Sequence, residues 1–285
     1  MNGFWPRELL KKVKNNQLEG RLRVMLLAID IGNTNIVLGL FRDRDIINHW
    51  RVDSNIRRTV DDYGHLVCYM IERAVGRITP DAVVICSVVP TLTYVFQKLA
   101  SRYFERDAVI VNGLSPLGLT YRVDNPPEMI GPDRIVNALA VKKRYAVDSI
   151  VVDMGTATTF DLVRSDGTYE GGVIAPGINT CAEALVKKAA MLSRVQIEAP
   201  DSVIGKNTRA MMQSGIFYGA VGQIDGIVAR LRKEWIPGCR VIATGGFVSM
   251  ISRYSSQFDT VDPNLTLHGL RHAWEILEKS TQKDG

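Results

Sequence analysis

Two short turns hold the residues best suited to chemistry. Asp30-Ile31-Gly32-Asn33-Thr34-Asn35 opens one apolar hairpin, and Asp153-Met154-Gly155-Thr156 opens another, with Asp153 standing 123 residues after Asp30. A glycine turn lets backbone N–H groups approach an anion closely, because glycine has no side chain in the way. Gly32 and Gly155 fit that role, Thr34 and Thr156 add hydroxyl donors, and Asn33 or Asn35 adds an amide. An aspartate beside a phosphate repels it, so Asp30 and Asp153 imply a cation between, most simply magnesium through water or a monovalent ion. Neither turn is GxxxxGK[ST] or GxGxxG, so the Walker and Rossmann readings fail. One such hairpin would be ordinary; the same device at corresponding points of two similar halves reads as a clamp for nucleotide phosphates.

Two further stretches add chemistry. Gly245 and Gly246, in "IATGGF", join a strand to a helix and would let adenine or ribose lie against backbone. Gly131-Pro132-Asp133-Arg134 suits a helix start, with Pro132 at the first position and Asp133 favoured by the helix dipole. The same four residues suit phosphoryl transfer to an acid-bearing alcohol: Asp133 accepts the hydroxyl proton and Arg134 pairs with the substrate anion.

Apolar alternation predicts the elements that must position these groups. Strands are expected near 25–30, 35–42 and 45–51, then a helix at 60–76, a strand at 81–86, a helix at 91–104, a strand at 108–112 and a helix at 132–145. The short basic segment 53–64 reads either as a reach toward substrate or, the favoured reading, as the cap of the first of these helices. The order repeats: strands at 150–154, 158–164 and 168–174, a helix at 178–192, a strand at 239–243, a helix at 246–254, a strand at 258–262 and a helix at 265–280. The expected fold class is α/β, two βββαβαβα domains facing a central cleft, at 25–145 and 146–285, with a helical insertion at about 207–235.

Composition sets the bounds. The 285 residues suffice for two domains, and 46% hydrophobic with 23% charged residues is the balance of a globular protein. Of the +5 net charge, +4 lies in the first 24 residues, where six Lys/Arg face two Glu. Residues 1–24 are therefore set apart as a basic extension: an upstream start, with Met25 as the alternative, a non-native leader, or a genuine basic arm that would bind nucleic acid in a salt-dependent way. This stretch lacks the apolar core of a secretory signal, and no later run is long enough for a membrane helix, so the expected location is cytoplasmic, with no membrane and no nucleic-acid partner. Cys68, Cys86, Cys181 and Cys239 form no CxxC or zinc spacing.

"DIGNTN", "GPDR", "DMGTAT", "GGVIAPG" and "GKNTRAMMQSGIFYG", in this order, resemble the type III pantothenate kinases, of the superfamily of acetate and sugar kinases, Hsp70 and actin. The resemblance runs from about residue 25 to the last helix and implies duplicated actin-like (ribonuclease H-like) domains. It implies ATP-dependent phosphorylation of pantothenate to 4'-phosphopantothenate, the first step of coenzyme A synthesis. By resemblance Asp30, Ile31, Gly32, Asn33, Thr34, Asn35, Ile36, Val37 and Thr156 hold ATP, and Asp133 is the general base. Gly131, Pro132, Asp133, Arg134 and Thr208 line the substrate site. Asp153 binds potassium (K+) or ammonium (NH4+), and magnesium (Mg2+) arrives with ATP, through water at Asp30. Members pair as homodimers, here through the helices at 207–235. In one departure, Val123 stands where members carry a tyrosine before Asn-Pro, with one extra residue before Gly131; Tyr121 substitutes through a shifted loop. The other readings are a catalytically silent relative with an accessory or regulatory role, and a kinase for another small alcohol.

Overall fold

The computed structural model of the chain describes residues 24–188 and 195–281. The expectations for residues 1–23, and for the part of the helix at 178–192 beyond residue 188, lie outside the described residues.

Two sheets carry the fold. The first has the order β3-β2-β1-β4-β5, from β1 (Met25–Ile31), β2 (Asn35–Arg42), β3 (Asp45–Asp53), β4 (Ala82–Ser87) and β5 (Ala108–Val111). The second repeats that order with β7 (Ser149–Met154), β8 (Ala157–Val163), β9 (Thr168–Pro176), β10 (Arg240–Gly245) and β11 (Thr260–Val261). A short strand, β6 (Thr120–Tyr121), extends the second sheet by pairing in parallel with β9.

The central strands are buried on both faces, which is why β1 reads as an almost unbroken apolar run. Its alternate residues Leu27, Ile29 and Ile31 enter a core beneath helices α1 (Val60–Val75) and α2 (Pro90–Phe104). Leu26 and Ala28 enter a different core, shared with Val151 of β7 and with α3 (Pro132–Ala140) and α7 (Leu265–Thr281). Ile150, Val152 and Met154 of β7 face a third core, under α4 (Ile178–Lys188) and α5 (Thr208–Glu234). With a side-chain period of two, Asp30 follows Leu26 and Ala28, and Asp153 follows Val151. Both aspartates therefore point to the shared middle layer, between the sheets.

That layer is built by helices from each half of the chain. α3 packs on β4 and β8, while α7, last in sequence, packs on α3 and on β1, β4 and β5 of the first sheet. The cap expected at 53–64 is present: Thr59 accepts from the Asp62 N–H, and Asp62 accepts from the Thr59 N–H. Two helices differ from expectation. α3 ends at Ala140 and widens into a π-helical turn at Val141–Tyr145, closed by the Ala146 N–H on the Val141 carbonyl. The wide turn brings Arg144 and Tyr145 together on Asp262, with the Tyr145 hydroxyl donating at 2.8 Å. The helix expected at 246–254 shrinks to α6 (Val248–Ile251), and downstream the Ser255 hydroxyl donates to Asp225 of α5 at 2.5 Å.

Candidate active site

The two hairpins meet. β1 and β2 are joined by the three residues Gly32-Asn33-Thr34, β7 and β8 by the two residues Gly155-Thr156, and Thr34 Oγ1 lies 2.8 Å from Thr156 Oγ1. The glycine N–H groups close their own turns, Gly32 on the Asn35 carbonyl and Gly155 on the Ala157 carbonyl, each at 3.0 Å. Among the described residues, the N–H groups of Asn33 and Thr34 have no such partner, so they and the threonine hydroxyls are the donors left for an anion. Ser54 braces the first turn by donating its hydroxyl to the Gly32 carbonyl at 2.6 Å and its N–H to the Thr34 carbonyl.

Asp30, Asp133 and Asp153 converge beneath this contact from β1, α3 and β7. Burial first, then the charge of Asp133, pushes Asp30 up to about 7, and the same two causes push Asp153 up to about 7. Burial also raises Asp133. Each carboxylate has a fixed partner. Cys86 Sγ donates to Asp30 at 3.3 Å, Asn137 Nδ2 donates to Asp153 at 3.1 Å, and the Arg134 N–H donates to Asp133 Oδ1 at 2.9 Å. Asn137 is fully buried and is itself held by Thr266 of α7 at 2.9 Å.

The sign of these shifts predicts an unusual pH dependence. The folded chain keeps the Asp30 and Asp153 protons up to about pH 7, whereas the unfolded chain releases them near pH 4, so their contribution to stability falls as pH rises through that window. Without nucleotide and with chelator, the thermal midpoint of the Asp30→Asn, Asp153→Asn double variant is expected to fall less between about pH 5 and 8 than that of the wild type. Equal slopes would contradict the burial argument.

Arg134 does not lie open to solvent. Its Nε and Nη2 both donate to Asp161, at 2.7 and 2.6 Å, and Tyr169 donates its hydroxyl to the same carboxylate at 2.8 Å. The Tyr121 ring lies 6.4 Å from the Tyr169 ring, and its buried hydroxyl has no hydrogen-bond partner among the described residues. Arg134 and Tyr121 are thus linked through Tyr169, over whose ring Arg134 Cζ lies at 5.7 Å. Val123 abuts Gly171, where a β-carbon would meet it at 3.5 Å. Thr208 is exposed at the start of α5, and no described contact joins it to Asp133 or Arg134.

Comparison with known proteins decides the family. The profile of the type III pantothenate kinases matches residues 26–230. A type III pantothenate kinase from Geotalea daltonii is 46% identical, the match covering 90% of this chain and 100% of that one. This chain belongs to the type III pantothenate kinase family. Members from Myxococcus xanthus, 46% identical over 87% of this chain and 96% of that one, and from a Roseiflexus strain, 45% identical over 88% and 99%, agree. The kinase has the duplicated actin-like fold. A structure described as a Baf family transcriptional activator from Campylobacter jejuni superposes with a TM-score of 0.55 at 17% identity, covering 89% of this chain and 99% of that one. The activator of 2-hydroxyisocaproyl-CoA dehydratase from Clostridium difficile, solved with ADPNP, does so with 0.51 at 12% identity, covering 91% and 98%.

The activity of this kinase is ATP-dependent phosphorylation of pantothenate, which serves coenzyme A synthesis and requires a divalent metal. The silent-relative reading is not favoured at this identity and coverage. Among the described residues, no helix is long and apolar enough to cross a membrane.

Three residues of the site escape the sequence reasoning. Asn137 was signalled only by its spacing, four after Asp133 and hence on the same helical face. Asp161 and Tyr169 gave no local signal, since each looks like an ordinary strand residue.

Proposed function

We propose that phosphoryl transfer takes place where the hairpins meet, with Asp133 as the base that receives the proton of the pantothenate hydroxyl. The supporting observation is the convergence of three buried carboxylates from three different elements, with the charge of Asp133 acting on both Asp30 and Asp153. The hairpin residues Asp30 through Val37, together with Thr156, hold the ATP phosphates. Asp133 is held through one oxygen by the Arg134 N–H, leaving the other for the substrate hydroxyl. Burial, which raises Asp133, brings its proton affinity closer to that of a working base at neutral pH.

Gly131, Pro132 and Arg134 shape the acceptor side, with Thr208 and Tyr121. The unpartnered Tyr121 hydroxyl suits a polar substrate group, because a buried hydroxyl without a partner is costly. Arg134, fixed by Asp161, presents a positioned positive charge to the pantothenate carboxylate. Dimerisation through α5 is part of this reading, supported by the exposed apolar side chains of Val203, Ile204 and Met211 beside its start. ATP as donor and four free cysteines fit the cytoplasm.

Oxygen donors at Asp30 and Asp153 fit hard cations, and no three described His, Cys, Asp or Glu side chains are grouped to hold a metal alone. Asp30 would hold magnesium through water, and Asp153, oriented by Asn137, would hold potassium or ammonium. When bound, these ions neutralise charge on the phosphates and on the two carboxylates. Initial rates in potassium, ammonium and sodium salts test the assignment. The rate in sodium is expected to be severalfold lower, and Asp153→Asn is expected to abolish that preference. Equal wild-type rates in the three salts would contradict it.

A further inference from the structure

Arg51 lies on β3, and its side chain makes no hydrogen bond or ion pair among the described residues, although its charge acts on the buried Asp30 and Asp153. In register it pairs with Val37, which pairs with Asp30. Directly opposed residues of antiparallel strands share a face, so Arg51 leaves the sheet on the side of Asp30, two strands away. Its guanidinium crosses to the other half of the molecule. A β-carbon at Gly246 would lie 2.6 Å from Arg51 Nη1 and 3.3 Å from Cζ. The preceding Gly245, at φ +96°, is pressed in the same way on Asp153, whose Oδ1 would lie 2.6 Å from a β-carbon there. The Gly245-Gly246 turn is thus threaded between Asp153 and Arg51, and the positive charge of Arg51 acts on both Asp30 and Asp153.

The charge count of the occupied site makes this arrangement consequential. A triphosphate enters a cleft that already holds three carboxylates, and the nearby cation Arg134 is engaged by Asp161. A guanidinium presents a planar fork that matches two phosphate oxygens, and it reaches farther than any group on the hairpins. Because β3 belongs to the first sheet and Gly246 to the second half, one side chain spans both walls of the cleft.

We propose that Arg51 is an ATP-phosphate-binding residue of this kinase, closing from the first sheet over the polyphosphate against the Gly245-Gly246 turn. The proposal rests on the reading that the phosphates lie between the two hairpins. A side chain at Gly246 would have to displace the guanidinium.

The test is calorimetric titration of the full chain with magnesium ATP in the absence of pantothenate, for wild type, Arg51→Gln, Gly246→Ala, their double variant, and Thr34→Ala. Arg51 is exposed on an edge strand, so its loss leaves the fold intact. Arg51→Gln is expected to weaken ATP about 10- to 100-fold, as for loss of hydrogen bonds to a charged group, with the KM for pantothenate little changed. Gly246→Ala is expected to weaken ATP by displacing the guanidinium, and to add little once Arg51 is already Gln. Wild-type affinity in Arg51→Gln, or fully additive losses in the double variant, would overturn the proposal. If Thr34→Ala loses affinity while Arg51→Gln does not, the hairpin reading stands and only the role of Arg51 falls. If neither loses affinity, both fall.

Discussion

Asp133→Asn is expected to lower kcat by about a hundred- to ten-thousand-fold, the range for removal of a general base, while the Kd for magnesium ATP changes little. Asparagine keeps the shape of the residue and an oxygen that can accept from the Arg134 N–H, now at 2.9 Å, so the start of α3 is retained. What it loses is the ability to take a proton. The three-carboxylate cluster also becomes less negative, so an ATP affinity equal to or slightly better than wild type fits the assignment. Calorimetry for ATP and a stopped assay for phosphopantothenate give the two readouts separately. Loss of ATP affinity to the same degree as turnover would move Asp133 from the acceptor to the nucleotide side.

The largest effect on stability is expected from Asp161→Ala. Asp161 is fully buried and accepts from four donors: Nε and Nη2 of Arg134, the Tyr169 hydroxyl at 2.8 Å and the Thr159 hydroxyl at 3.1 Å. Its removal strands a mostly buried guanidinium, a change that typically costs about 3–5 kcal/mol. Denaturant unfolding measures it. Asp161→Asn, which keeps an acceptor for the hydroxyls and loses the charge, is expected to cost less. The KM for pantothenate should rise in both variants, because Arg134 loses the carboxylate that holds it and Tyr169, which lies beside Tyr121, loses its charged acceptor. An Asp161→Ala protein as stable as wild type would mean that the network contributes nothing to the fold.

The contrast between these two aspartates shows what a sequence exposes. Asp133 stands beside Gly131 and Pro132 at a helix start, and Asp30 and Asp153 stand at glycine turns between apolar strands, so local pattern singles them out. The repeat of strand order was legible for the same reason, since period-two alternation and turn residues are local signals. Asp161 sits in the middle of β8, and its value lies in Arg134, which is 27 residues away and on another element. Arg51 becomes visible only when the register of β1, β2 and β3 is known, because its relation to Asp30 crosses two strands. The seat of α7 on the first sheet, opposite to its place in the chain, likewise depends on long-range packing and leaves no periodic trace. Even at the hairpins the sequence was only partly sufficient. Gly32 and Gly155 spend their N–H groups on their own turns, which transfers the donor role to their neighbours.

Phosphorus NMR of the full chain with magnesium ATP and pantothenate in potassium buffer, beside the Asp133→Asn variant, tests transfer to pantothenate and the role of Asp133 together. A new phosphomonoester signal growing in step with ADP is expected for the wild type, and ATP is expected to be left intact by the variant. ADP with inorganic phosphate and no phosphomonoester from the wild type, or a phosphomonoester formed equally fast by both proteins, would contradict it.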